Sequence, residues 1–442
     1  MLIGIRHERI DEYKRLHAAV WPQVIEQIKR CNISNYTIYL REPENILFSH
    51  FEYHGEDFEA DMAAMARDPE TQRWWTLCSP CQVPLESRAQ GEHWALMREV
   101  FHMDGRPDVN WRARLPRLGF GAAAVGNLYR TVSDAQAREA VQGALEVGIS
   151  YFDTAPYYGF GLSERRLGDI LAETDPTGSC LISTKVGRLL KPLGSTAGTE
   201  RHGFVGGDAF EPHFDYTYDG VMRSFEQSLR RLRRDRVDIL LAHDLGSSTH
   251  GAAHETYFRQ FLESGYRAMR ELREQKVIAA VGIGVNEWEV CVETLRLVDL
   301  DVILLAGRYT LLDQSALDFL LPVCAQRDIP VILGGPYNSG ILASGSQAAP
   351  KFNYLPAPAP VIGRVRKIED VCRQFDVPLP AAALQFPLAH PQIAAVIPGI
   401  GNRAEALSAR EHLTRSIPKA LWQALHDGGL LNGNAPLPAP RM

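Results

Sequence analysis

The stretch Asp153-Thr-Ala-Pro-Tyr-Tyr158-Gly-Phe-Gly-Leu-Ser-Glu164 follows a short apolar run, Gly148-Ile-Ser-Tyr-Phe152. It predicts the end of a parallel β-strand, then a glycine- and proline-rich loop, then the start of a helix. That junction is where α/β barrels carry catalytic side chains. An acid and a tyrosine leave this one strand end five residues apart.

Working outward, short apolar runs alternate with amphipathic segments from residue 118 onward. Strands are predicted at 118–121, 149–153, 180–185, 237–243, 277–283, 302–305, 331–334 and 393–398. Helices are predicted near 134–147, 162–173, 219–233, 256–274, 287–297, 313–327, 361–375 and 402–412. Eight strand–helix pairs in order predict an α/β fold, a (β/α)8 TIM barrel with its active site at the C-terminal strand ends. Two long interruptions, 189–215 and 338–360, are the expected lids.

The residues before the barrel read differently. Residues 8–30 carry apolar positions at helical spacing around Trp21-Pro22, 35–40 and 46–53 read as strands, and 58–66 as a helix stopped at Asp68-Pro69. With a last strand near 99–103, this is a small α+β domain over 1–104. Residues 105–116, aperiodic and rich in Gly, Pro and Arg, are the expected linker, and 117–442 the barrel.

With 442 residues, 45% hydrophobic and 23% charged, the chain has material for both domains. A net charge of −6 argues against nucleic acid or an anionic membrane as partner and for a small molecule. The first residues lack the pattern of a secretory signal, and no run approaches the ~18 apolar residues of a membrane helix. A cytoplasmic protein is expected. Seven cysteines fit a reduced compartment; Cys78-x-x-Cys81 has no second pair to complete a metal site, and no metal is expected.

The C-terminal strand ends supply Asp153 and Tyr158, then Lys185 and His243. Neighbouring strand ends converge in a closed barrel, so these four can meet. A free tyrosine titrates near pH ~10, and an adjacent ammonium favours its phenolate. Lys185 is expected to supply that charge, Asp153 to hold Lys185, and His243 to orient the substrate oxygen. Hydride chemistry between an alcohol and a carbonyl fits such a proton-transfer site.

Asp-Thr-Ala-x-x-Tyr-Gly, Ser-Glu-x-x-Leu-Gly, Thr-Lys and the later histidine resemble the aldo-keto reductases over the C-terminal 330 or so residues. That resemblance implies a catalytic tetrad of Asp153, Tyr158, Lys185 and His243, with Tyr158 as acid/base. Arg308-Tyr-Thr-Leu-Leu312, the run at 334–342 and the long insertion after Lys185 resemble the aldose 1-dehydrogenases, L-fucose dehydrogenase and D-threo-aldose 1-dehydrogenase among them; pyridoxal dehydrogenases look similar. The cofactor implied is NAD or NADP, held by Asn286, Gly399, Gly401 and Arg403. Where NADP-binding members often have Lys-Ser, this chain has Gly399-Ile400, and the usual downstream arginine falls on Glu405, which leans toward NAD. Position 334, a nicotinamide-stacking tyrosine in many members, is glycine.

In the first hundred residues, Tyr13 and His17 share one helical face. Tyr36 lies on the next strand, and Gln72-Arg73-Trp74-Trp75 reads as a loop with two exposed aromatics, together a platform for a sugar. Glu-Tyr-x-x-x-His, Trp-Pro, Asn-Tyr-x-Ile-Tyr-Leu, Gln-Arg-Trp-Trp and Glu-Val-Phe resemble L-rhamnose mutarotase over residues 1–103. The resemblance implies a ferredoxin-like fold, His17 as proton donor and acceptor, a pocket lined by Tyr13, Tyr36, Trp74 and Trp75, and a homodimer through this domain. The first strand, ending at Gly4-Ile5, is short for that family.

Together the two halves predict a bifunctional enzyme that interconverts sugar anomers and oxidises the C1 hydroxyl of L-fucose or a related aldose to its 1,5-lactone. The alternatives are an aldo-keto reductase acting on a non-sugar such as pyridoxal, and a non-catalytic NAD(P)-binding regulatory protein.

Overall fold

A computed structural model describes residues 1–55, 57–89, 91–97, 110–194, 200–347 and 349–439. The chain divides into two compact units, Met1–Gly105 and Arg106–Met442.

In the first unit, β1 (Leu2–Ile5) leads to α1 (Ile10–His17) and α2 (Pro22–Arg30), then β2 (Ile33–Arg41) and β3 (Ile46–Tyr53). After these come α3 (Phe58–Arg67), α4 (Pro69–Cys78) and β4 (Gln82–Val83). The sheet order is β2-β3-β1-β4, and every pairing is antiparallel, the arrangement of a ferredoxin-like domain. The short β1 lies inside the sheet, paired on both sides. Ile3, Ile5, Ile10, Tyr13, Val24, Leu47 and Trp74 form the core with Cys78 and Cys81.

One sequence expectation is corrected here. Gln72–Trp75 is not a loop: it lies in α4, with Trp74 buried in the core. Asp68-Pro69 ends one helix and starts the next, because the Asp68 carboxylate accepts from the Thr71 amide as an N-cap while Pro69 takes the first helical position, where no amide is needed. The strand expected at 99–103 lies outside the described residues, as does 105–109 of the expected linker.

In the second unit, eight parallel strands run in chain order: Phe120–Gly121, Tyr151–Asp153, Leu181–Val186, Ile239–His243, Ala280–Val285, Val302–Ala306, Val331–Gly334 and Ile393–Ile397. Parallel bridges Leu118 to Val396 and Gly121 to Gly399 close the first strand onto the last. Alternation along each strand splits the apolar residues between two layers. Tyr151, Leu181, Ile239, Leu241, Val302, Leu304 and Ile332 fill the barrel interior. Phe152, Ile182, Leu240, Ile283, Ile303 and Leu333 pack outward against the helices.

Residues 110–116 are not linker. Asn110 caps a short helix, Trp111–Arg114, and Trp111 packs with the barrel's interior layer. The helix expected at 313–327 is confined to Leu320–Gln326. Ahead of it Thr310 Oγ1 accepts from the amides of Leu312 and Asp313, and Asp313 accepts from Ser315, so side chains hold the backbone in turns. Two further helices, Leu379–Gln385 and Lys419–Asp427, carry proline at or just before their first turn and lie outside the eight expected from the sequence. The interruption after the third strand is built of hairpins, Arg188–Pro192 with Phe210–Phe214 and Glu200–Arg201 with Phe204–Val205.

Candidate active sites

The opening stretch separates into chemistry and scaffold. Asp153 ends the second barrel strand and Lys185 lies on the third; both are buried, and Lys185 Nζ donates to Asp153 Oδ2 at 2.8 Å and Oδ1 at 3.0 Å. The same ammonium donates to the Thr154 carbonyl at 2.8 Å and reaches the Tyr158 hydroxyl at 3.1 Å. Ser183 donates to Asp153 Oδ1 at 2.7 Å, and its own oxygen shares a bond with the Tyr151 hydroxyl. A buried ion pair survives only with its remaining hydrogen-bonding capacity satisfied, and these bonds satisfy it. Ser163 and Glu164 are scaffold: Ser163 ties Thr154 to the Ala122 carbonyl, and the fully buried Glu164 accepts from Thr184 and Arg231.

His243 ends the fourth strand, its ring 5.9 Å from that of Tyr158. All four residues read as a tetrad therefore meet at the C-terminal mouth. Their electrostatics differ from expectation in one respect. Burial, then the negative charges of Asp153 and Asp244, push the Tyr158 phenol well above its ordinary value, against a smaller opposing effect of Arg188. Lys185 is engaged by the Asp153 carboxylate, so Tyr158 rests as the phenol and not as a phenolate. Burial also lowers His243 to about 3, which leaves a neutral imidazole.

Of the residues that surround these four, sequence reasoning assigned a role only to Asn286, as a cofactor contact. Arg188 Nη2 donates to Asp244 Oδ2 at 2.6 Å, and the guanidinium lies 3.9 Å from the ring centre of Tyr157 and 4.9 Å from that of Phe214. Asn286, just past the fifth strand, donates to Asp244 Oδ1 at 3.2 Å and accepts from the Tyr354 hydroxyl at 3.2 Å. Arg308 donates to the Asn286 carbonyl and to Asn353 Oδ1. Both expected lids thus bear on the mouth: Phe204 packs on Tyr157 and Tyr158, and Asn353-Tyr354 is fastened to Asn286 and Arg308. Asp244 was legible only as the acid beside His243.

At the end of the last strand, Gly399 has open space where a side chain would stand. The Glu405 carboxylate accepts from the Gly401 amide at 2.7 Å, from Asn402 Nδ2 at 2.7 Å and from Arg130 at 2.6 Å. A carboxylate of the chain itself therefore takes the donors that would otherwise face an anion at this helix start. Arg403 pairs with Glu146 through both its terminal nitrogens and is directed away from that loop. The open backbone at Gly399 leaves room for the adenosine end of a dinucleotide, while the donors beside it are held by Glu405.

In the first unit the Tyr13 and His17 rings stack at 4.0 Å, and His17 Nδ1 bonds the Tyr13 carbonyl at 3.0 Å. Trp74 meets His17 edge-on at 5.6 Å. Burial lowers the His17 titration and raises that of Tyr13, whose hydroxyl accepts from Gln82, itself bonded to His93. Gln82 and His93 carried no sequence signal. Tyr36 is exposed on β2, beside Phe51. Trp75, about 100° round the helix from Trp74, is exposed.

The family model "Aldo/keto reductase family" matches residues 117–425. This chain belongs to the aldo-keto reductase family. The model for L-rhamnose mutarotase matches residues 1–103. A pyridoxal 4-dehydrogenase of Microbacterium luteolum is 40% identical over 324 residues, 71% of this chain and 94% of its own length. A D-threo-aldose 1-dehydrogenase of a Pseudomonas species is 38% identical over 325 residues, 72% of this chain and 95% of its own. The fold is shared with a solved aldo-keto reductase of Bacillus halodurans, TM-score 0.55 at 22% identity, covering 72% of this chain and 93% of that one. The aldo-keto reductase unit is thus joined in one chain to a mutarotase-like unit. Among the described residues no helix is long and apolar enough to cross a membrane, and no cluster of side chains is suited to a metal ion.

Proposed function

We propose that the first unit interconverts sugar anomers and that the barrel oxidises the C1 hydroxyl of L-fucose, or of a related aldose, to the 1,5-lactone. The observation that carries this reading is Lys185 Nζ, 3.1 Å from the Tyr158 oxygen and paired with Asp153, in a chain whose residues 1–103 match L-rhamnose mutarotase. A nicotinamide bound at the mouth would supply the hydride acceptor. Tyr158 exchanges the hydroxyl proton: the phenol donates in the reducing direction, and the phenoxide stabilised by Lys185 accepts in the oxidising one. Neutral His243 holds the sugar oxygen, and the lids exclude water. Catalysis fixes one face of C1, so a single anomer is consumed and the first unit replenishes it. The tether keeps the two activities at high effective concentration.

Glu405 supports NAD over NADP, because its carboxylate would repel a 2′-phosphate and Arg403 is engaged elsewhere. A homodimer through the first unit is part of the same reading. Tyr39 and Phe48 stack across β2 and β3 and are exposed with Val83 on the same unit, an apolar surface a second copy would cover. A cytoplasmic location suits a sugar enzyme that uses a soluble nicotinamide.

The test is reduction of NAD+ and NADP+ followed by absorbance with anomerically pure L-fucose, D-arabinose, L-galactose and pyridoxal. A fast sugar reaction with NAD+ is expected; oxidation of pyridoxal alone would replace this reading with a second, favoured by the 40% identical pyridoxal 4-dehydrogenase. No turnover of any of the four would point to a regulatory NAD(P)-binding protein.

A further inference from the structure

We propose that Asp244, held between Arg188 and Asn286, is a positioning residue that fixes the single proton of the His243 ring on Nε2. It thereby determines which nitrogen offers a hydrogen bond to a substrate oxygen.

Three observations converge on this. His243 Nε2 lies 3.4 Å from Asp244 Oδ2. The contact is no hydrogen bond, but the field of a buried carboxylate at that distance disfavours a lone pair on Nε2 and favours an N–H there. Nδ1, the other ring nitrogen, is buried with no hydrogen-bond partner among the described residues. A buried N–H without an acceptor is costlier than a buried lone pair on a weak base, so the proton is disfavoured there. Finally, the backbone of His243 and the carboxylate of Asp244 are both held in place. Tyr216 donates to the His243 carbonyl at 2.5 Å, and Asp244 takes Arg188 on one oxygen and Asn286 on the other. At 3.4 Å the carboxylate biases the tautomer without capturing the proton, which stays available to a substrate oxygen. Asp244 adopts φ +49°, a left-handed conformation, with its carboxylate beside the histidine before it.

The sign of this effect is readable in the free protein. In the full-length chain labelled with 15N-histidine, two-bond 1H–15N correlations report the tautomer of each ring, with His243 assigned by its loss in His243→Gln. The wild type is expected to carry the proton on Nε2. Asp244→Asn is expected to shift the population toward Nδ1–H, because an amide N–H can then face Nε2, and Asp244→Glu to restore Nε2–H in part. With L-fucose and NAD+, Asp244→Asn should lower kcat by about tenfold or more with KM within about twofold. An Nδ1–H tautomer in the wild type overturns the proposal even if the variants fail to fold. So does an unchanged Nε2–H population in Asp244→Asn. The inference rests on the oxidoreductase reading only through its kinetic arm. Absence of L-fucose oxidation by the wild type would count against that reading and leave the tautomer result standing.

Discussion

Two tyrosine–histidine pairs sit in this one chain, and they are built by opposite means. Tyr13 and His17 are four residues apart on α1, stacked at 4.0 Å by helix geometry alone. Tyr158 and His243 are brought within 5.9 Å by a barrel, and beside them stand two ion pairs, Lys185–Asp153 and Arg188–Asp244. In the first pair the tyrosine has only Gln82 as a side-chain hydrogen-bond partner among the described residues. In the second, an ammonium touches the phenol oxygen. Local geometry is enough to stack a half-buried imidazole on a tyrosine; moving a phenolic proton needs charge imported from other strands.

Removing the tyrosine hydroxyl should separate the two sites most. Tyr158→Phe is expected to lower kcat/KM for cofactor reduction by about 10²–10⁴-fold while polarimetry shows mutarotation intact. In the wild type the oxidation rate should climb with pH across the neutral range, because burial and two carboxylates raise Tyr158 and the phenoxide fraction grows with every unit. A flat profile, or a variant that retains activity, would deny Tyr158 its role.

The reciprocal change is His17→Ala. It should depress mutarotation by about 10²-fold and leave oxidation of the equilibrated sugar untouched. The visible effect is a slow second phase with anomerically pure substrate. If that phase is the same in wild type and variant, the first unit does not feed the barrel.

A smaller effect is expected at the cofactor end. Glu405→Gln removes the carboxylate that occupies the Gly401 amide, and should improve the KM for NADP+ relative to NAD+ by about tenfold. An unaltered ratio would mean that the charge of Glu405 does not set the preference.

The smallest effect concerns acid stability. His243 is lowered to about 3, below its unfolded value near 6.5, so the unfolded chain binds the extra proton first. The stability held by the neutral ring is complete above about pH 6.5 and is lost as pH falls toward 3. His243→Gln should therefore unfold with a shallower dependence on pH over that window, read by thermal melts of the second unit. A steeper dependence would contradict a buried neutral imidazole.

Much of this was legible in the sequence, and the limits have physical causes. The barrel strands announce themselves because residues buried on both faces leave continuous apolar runs, as in Ile239–His243. The four mouth residues are legible because strand ends carry them at fixed places. The helix containing Trp74 and Trp75 is not, because Asp68-Pro69 reads as a stop unless the aspartate is known to cap a second helix. Trp111 reads as linker because a single aromatic in an aperiodic stretch gives no sign of the barrel interior it enters. Arg188 and Asp244 escape because an ion pair between residues 56 apart leaves no local pattern. The resting state of Tyr158 is hidden for a related reason: sequence places Lys185 and Asp153 beside the phenol but does not show the burial that, above all, keeps it protonated.

The pairing of charges at the barrel mouth has a kinetic consequence. Lys185 with Asp153 and Arg188 with Asp244 sum to zero within a few ångströms, and Tyr158 and His243 add nothing in their resting forms. A neutral sugar approaching such a mouth feels no long-range pull, so its capture rate should be indifferent to ionic strength. The encounter is left to diffusion and to how much of the right anomer is on hand, the quantity that the first hundred residues are proposed to govern.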